Sequence, residues 1–218
     1  MSIRNLFQEE LDKLRRDILD MATRVEEDLC KALAAFMNND RELAKEVKAN
    51  DKIINAMQLK IEDTASILIA TQQPVAGDLR ELVAIFKICG NLERIGDYAV
   101  HLAKAALKLA EDPPFSSVER IGKIAETGQE MLRLAISAFL AKDSKAARKA
   151  AELDNIIDEE HKLLTEEILA FIKEKKSSVK KAIRLLNTSG YLERMGDHIT
   201  NICESIIYMV EVKHVELN

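Results

Sequence analysis

Leu92-Glu93-Arg94-Ile95-Gly96-Asp97 is followed, one hundred positions later, by Leu192-Glu193-Arg194-Met195-Gly196-Asp197. Around the first copy Ile85, Ile88, Leu92, Ile95, Ala99, Leu102, Ala106 and Leu109 step by three and four residues. Around the second, Leu185, Thr188, Leu192, Met195, Ile199, Ile202, Ile206 and Met209 do the same. That spacing is the 3.6-residue period of a helix that buries one stripe. Each signature therefore lies in the middle of a long core helix, and the fold follows from what flanks it.

Upstream, the two copies stay in register. An offset of 103 carries Phe36 to Phe139, Asp40 to Asp143 and Asp51 to Asp154, and the offset becomes 100 for the signature helix. Breaks in the apolar pattern fall at Asn38-Asn39-Asp40, Thr71 to Gly77, Glu111-Asp112-Pro113-Pro114, Lys142-Asp143 and Lys175-Lys176-Ser177-Ser178. The double proline cannot continue a helix. Ser116 with Glu119, and Asp78 with Glu81, have the spacing of capping boxes, and Asp78 is expected as an N-cap. Six helices of roughly 30 residues result, each about 45 Å long. Short connections make neighbours antiparallel. The expected fold is all-α: two tandem antiparallel three-helix bundles related by internal duplication, residues 1–112 and 113–218.

Composition agrees with this architecture. Seven Gly and three Pro in 218 residues, against 47% apolar and 32% charged residues, favour long helices over short strands. The net charge of −5 argues against a nucleic-acid binder. No apolar run is long enough to span a bilayer, and the charged start, with Arg4, Glu9, Glu10, Asp12 and Lys13, is not a secretory signal. Cys30, Cys89 and Cys203 lack metal or redox spacing and read as reduced core residues.

The polar residues of the signature carry the chemistry. With Leu92 at the centre of the stripe, Glu93 lies about 100° and Asp97 about 140° round the helix, one turn apart. Two carboxylates four residues apart repel, and a Gly in a helix costs about 1 kcal/mol. Gly96 sits roughly 40° from the stripe centre, where it admits a close neighbour. On the second helix Asp154 and Asp158 form another such acidic pair, whose first-copy counterparts are Asp51 and Asn55. If the second and third helices face one another, each half gathers several oxygen ligands suited to Mg²⁺, Ca²⁺, Mn²⁺ or iron. A solvated acidic flank with Arg94 and Arg194 in ion pairs is the competing reading. His101 continues the column of Glu93 and Asp97 and is either a further ligand or an ordinary half-buried histidine. The basic corner from Lys173 to Lys181 reads as a solvated turn. There is no glycine-rich phosphate loop, no nucleophile beside a histidine and no HExxH, so the chain is not expected to be an enzyme. A metal-dependent hydrolase or oxidase using the same carboxylates is the alternative.

The twin signatures, Pro74-Val75-Ala76-Gly77-Asp78-Leu79-Arg80 before the first, and Asn201-Ile202-Cys203-Glu204 after the second resemble the PhoU family. The resemblance runs from about Phe7 to Val210. It implies a cytoplasmic negative regulator of phosphate uptake, an adaptor between the phosphate ABC importer and the phosphate-sensing histidine kinase with its response regulator. It also implies a homodimer that binds divalent or trivalent metal ions, with iron, zinc, manganese, magnesium and calcium as candidates. Carried over by position, the metal residues are Glu93, Asp97 and Asp51 in the first copy and Glu193, Asp197, Asp154 and Asp158 in the second. Asn55 departs from the acidic pattern. Asp78 and Arg80 match the family's Asp-Leu-Arg and are candidates for partner contact.

Overall fold

A computed structural model describes residues 3–109, 118–174 and 179–217. The first half comprises α1 (Ile3–Asn38), α2 (Arg41–Gln72) and α3 (Ala76–Leu109). The second comprises α4 (Val118–Ala141), α5 (Ser144–Ala151), α6 (Asp154–Glu174) and α7 (Val179–Glu211). Among the described residues every regular element is a helix. The breaks expected at 111–114 and 175–178, Ser116, and the 112/113 boundary lie outside the described residues.

The repeat is written into the turns. Asn39 and Lys142 both take left-handed backbone (φ 54 and 52), and the following Asp40 and Asp143 each cap the next helix. Asp40 accepts from the N–H groups of Glu42 and Leu43, and Asp143 from those of Lys145 and Ala146, all at 2.9–3.0 Å. The signature stripes are buried as expected, from Ile85 to Ala106 in α3 and from Leu185 to Met209 in α7.

Two expectations are corrected. The second helix of the second half is not continuous: a turn at Glu152–Leu153 separates α5 from α6. Asn155 Nδ2 donates to the Glu152 carbonyl at 3.1 Å, satisfying an acceptor that the break frees. The first copy has Lys52 at that place, which cannot do this in the same way, and α2 runs through. The capping box at the start of α3 is also absent. The helix begins at Ala76, which puts Asp78 in its first turn rather than at the N-cap. Glu81 turns away into the core, where it is 2% exposed. There it takes Arg15 of α1 through two bonds of 2.5 and 2.9 Å and Lys142 of the α4–α5 turn at 2.6 Å. Burial pushes its carboxyl pKa up, but the guanidinium and ammonium together outweigh this and hold it below the usual value. A carboxylate of the first half is thus anchored to a turn of the second.

The halves pack through α3 against α7 and α1 against α4, about a pseudo-twofold axis. Asn91 bonds His198 at 2.8 Å, and the exchanged pair, Tyr191 and Tyr98, stacks with centroids 6.2 Å apart. Likewise Cys30 approaches Gln129 at 3.4 Å, and the exchanged pair, Arg133 and Glu26, forms an ion pair at 3.5 Å. Cys30 is exposed at this junction and not a core residue, which corrects one of the three cysteine assignments.

Candidate functional site

Each half carries an acidic cleft where its interrupted or continuous second helix meets the signature helix. In the first, α3 supplies Glu93 and Asp97 and α2 supplies Asp51. Burial and then Asp97 push the Glu93 carboxyl up, Arg94 opposes them, and Asp51 and Glu62 add to the rise. Arg94 leans in from solvent, 3.3 Å from Asp97 and 3.6 Å from Glu93. This is the ion pair of the competing reading. Asn55, one turn after Asp51 on α2, has a buried Oδ1 with no hydrogen-bond partner.

The second cleft is more acidic and partly deeper. Asp154, the first residue of α6, is 4% exposed. Its Oδ2 accepts from Thr200 at 3.1 Å, while its buried Oδ1 has no partner. Burial, with Asp158, Asp197 and Glu193 as further causes against the Thr200 bond, pushes its pKa up to about 6. Glu193 and Asp197 are raised as well, mainly by burial and next by an acidic neighbour, Asp197 for the first and Asp158 for the second. Asp158 itself is exposed at the mouth.

The two signature glycines make room, but for different things. A Cβ on Gly96 would meet Ile54 Cδ1 at 3.0 Å. A Cβ on Gly196 would overlap Asp154 Oδ1, so the glycine admits the carboxylate itself. The break before α6 and the missing side chain at 196 together let Asp154 sink between the helices.

All seven predicted metal residues therefore fall in the two clefts, three in the first and four in the second. Asp78 and Arg80 do not; they lie at the start of α3, where Arg80 has a buried Nε with no hydrogen-bond partner. His101 has its pKa pushed down by burial and then by Lys104, against Asp97, which raises it. It stacks on Tyr191 at 4.3 Å, across the junction of the halves. Two residues were missed. Glu62 lies on α2 eleven positions after Asp51, and His161 on α6 seven after Asp154, spacings that return to the same helix face. Both act on the clefts: Glu62 raises Glu93, and His161 lowers Glu193. His161 Nδ1 is held by Ser189 Oγ at 2.6 Å, which leaves Nε2 available.

Among the described residues no three Asp, Glu, His or Cys side chains converge closely enough to hold an ion as they stand. The donor set nevertheless fits a hard cation. An unpartnered, buried carboxylate oxygen and a group of acids that raise one another's pKa are relieved by positive charge. Thiolate chemistry is disfavoured, since burial pushes Cys89 and Cys203 up to about 12.

Fold and clefts define a class: a duplicated helical protein with one acidic cleft per repeat and a pseudo-twofold between them. The PhoU domain family matches it twice, at residues 18–106 and 121–206. The chain belongs to the PhoU family. It is 34% identical over 216 residues to the "phosphate-specific transport system accessory protein PhoU homolog" of Clostridium acetobutylicum, covering 99% of each chain. The crystal structure of PhoU from Pseudomonas aeruginosa superposes with a TM-score of 0.91 at 32% identity, over 95% of this chain and 100% of that one. That of the phosphate transport system regulatory protein PhoU from Streptococcus pneumoniae gives 0.91 and 32%, over 96% and 99%. No described helix is long and apolar enough to cross a membrane.

Proposed function

We propose that the chain is a non-catalytic accessory regulator of a phosphate-specific transport system, acting in the cytoplasm as a metal-binding adaptor and lowering phosphate-starvation signalling when phosphate is plentiful. It docks on the phosphate ABC importer and on the phosphate-sensing histidine kinase, and does so as a homodimer. The observation that carries the reading is the match over nearly the whole chain to relatives bearing that name, with both signatures intact. The clefts support the metal part through their chemistry: Asp51, Glu93 and Asp97 in one half, and Asp154, Asp158, Glu193 and Asp197 in the other, hold the ions. Loading draws in the side chains and replaces repulsion with a charged surface. Asp78 and Arg80, whose Nε has no hydrogen-bond partner, form a separate contact for the importer or kinase.

Immobilised chain should retain the importer ATPase or the kinase from a membrane extract, and Arg80→Ala should weaken retention. No retention at any phosphate level overturns the adaptor reading. Elemental analysis of protein purified without chelator should find metal that falls by about half in Asp97→Asn and in Asp197→Asn. Metal-dependent turnover of phosphoesters would overturn the non-catalytic reading instead. Light scattering should give twice the chain mass.

A further inference from the structure

The interface between α3 and α7 has two unlike ends, related by the pseudo-twofold. At one end the rings of His101 and Tyr191 stack across the interface. Exchange of the halves carries these two residues onto Asn201 and Asn91. The smaller pair leaves a cavity of about 200 Å³ at the other end, room for several waters.

The segment after α7 lines one side of this half-open pocket through His214 and Val215. Val212 takes left-handed backbone (φ 60), a strained state for a β-branched residue, and its N–H donates to the Tyr208 carbonyl at 3.0 Å. The turn lays His214 on Tyr208, with centroids 4.3 Å and planes 17° apart. It also brings the Leu217 N–H onto Glu204 Oε1 at 2.9 Å. Val212 is the left-handed cap that ends α7, as Gln73 ends α2, and it turns the chain back along the pocket.

The polar groups of the lining are not all spent. Asn91 is: its Nδ2 donates to the Lys87 carbonyl at 2.8 Å and its Oδ1 is bonded to His198. Ser205 donates to the Asn201 carbonyl at 2.8 Å. That leaves the Lys87 ammonium, 5.8 Å over the Tyr208 ring, with the Asn201 amide, the Tyr208 hydroxyl and the His214 ring as donors. One acceptor, the Glu204 carboxylate, faces them.

From this donor set we infer that the cavity binds a small protonated oxyanion of the phosphate type, with the segment after α7 as its clamp. Lys87, Asn201, Tyr208 and His214 donate to the charged oxygens. Glu204 accepts the acid proton that hydrogen phosphate carries, which a fully ionised anion such as sulfate lacks. The inference is independent of the metal clefts, and its failure leaves their reading untouched.

The test uses the full chain stripped of metal by chelator, so that cations in the clefts do not capture the anion. Equilibrium dialysis with radiolabelled inorganic phosphate at pH 7 should show one saturable site per chain. Tryptic cleavage after Lys213, which is exposed in the segment beside the pocket, should slow as the site fills. Lys87→Met and Tyr208→Phe should each weaken binding about tenfold, the loss of one charged or well-placed hydrogen bond. Asn201→His, which restores the ring of the filled end, should abolish it. Circular dichroism identifies any variant that fails to fold, and Tyr208→Phe, losing one oxygen, serves as the conservative control. Sulfate should bind at least about tenfold more weakly than phosphate, with the gap closing in Glu204→Gln. The proposal is overturned if the parent shows no saturable phosphate binding. It is equally overturned if folded Lys87→Met and Asn201→His bind as the parent does, or if sulfate binds as tightly as phosphate.

Discussion

Asp154 enters a helix interface with one donor, Thr200, and three acidic neighbours. Its folded pKa, about 6 against an ordinary 3.8, means that the folded chain keeps a proton which the unfolded chain has already released. Metal-free protein should therefore lose stability as pH rises from about 4 to about 6, by on the order of 2 kcal/mol. Asp154→Asn should match the parent at pH 4 and exceed it at pH 7 in urea unfolding with chelator present. Metal should reverse the order at pH 7. A second pair of substitutions separates the glycines. Gly96→Ala meets the movable end of Ile54 and gains about 1 kcal/mol of helix propensity, so stability should hardly change. Gly196→Ala must displace a buried carboxylate and should cost about 1–3 kcal/mol net and lower metal binding in that half. Denaturant titrations of the two variants side by side decide this. The acids themselves were legible from spacing alone, because a carboxylate column on one helix is a matter of 100° steps. Glu62 and His161 were not, because their part depends on which turn of one helix lies opposite which turn of the next.

At the scale of elements, the two turns built on Asn39-Asp40 and Lys142-Asp143 should respond alike. Asp40→Ala and Asp143→Ala each remove a side-chain acceptor from two helix N–H groups, and each should cost about 1 kcal/mol. Lying in different halves, they should add in the double variant, as measured by thermal or urea unfolding. The long helices could be read from their buried stripes, since the period is repeated over eight positions in α3 and again in α7. The interruption between α5 and α6 could not. Asp-Asn within a helical pattern only weakly favours a break. Here a buried destination for Asp154 decides the matter. The start of α3 shows the same limit: Asp78 and Glu81 have capping spacing, yet Glu81 finds two cations in the core and abandons the local role.

At the scale of the molecule, Glu81 ties the halves together. Its carboxyl is held below the usual value, so its contribution is present above the unfolded pKa and is lost as pH falls through the folded one. Glu81→Gln should lower stability at pH 7 by about 2–3 kcal/mol, leaving Arg15 and Lys142 poorly compensated. The deficit should shrink on acidification below pH 4.5, the ordinary carboxyl value. Unfolding followed at several pH values checks both statements. None of this was legible in the sequence, because Arg15, Glu81 and Lys142 belong to three separate elements that only the packing of the halves unites.

The pseudo-twofold has one more consequence. Two like halves facing each other through α3 and α7, and through α1 and α4, have the geometry of an isologous pair, in which every contact occurs twice. Among separate identical subunits, a substitution near the axis appears at both ends and must suit both. Within one continuous chain it appears once. The asymmetry between the His101–Tyr191 stack and the Asn91–Asn201 hollow is open only to a joined pair. In one continuous chain the two ends of the α3–α7 interface are free to differ, one packed by two rings and the other carrying a pocket.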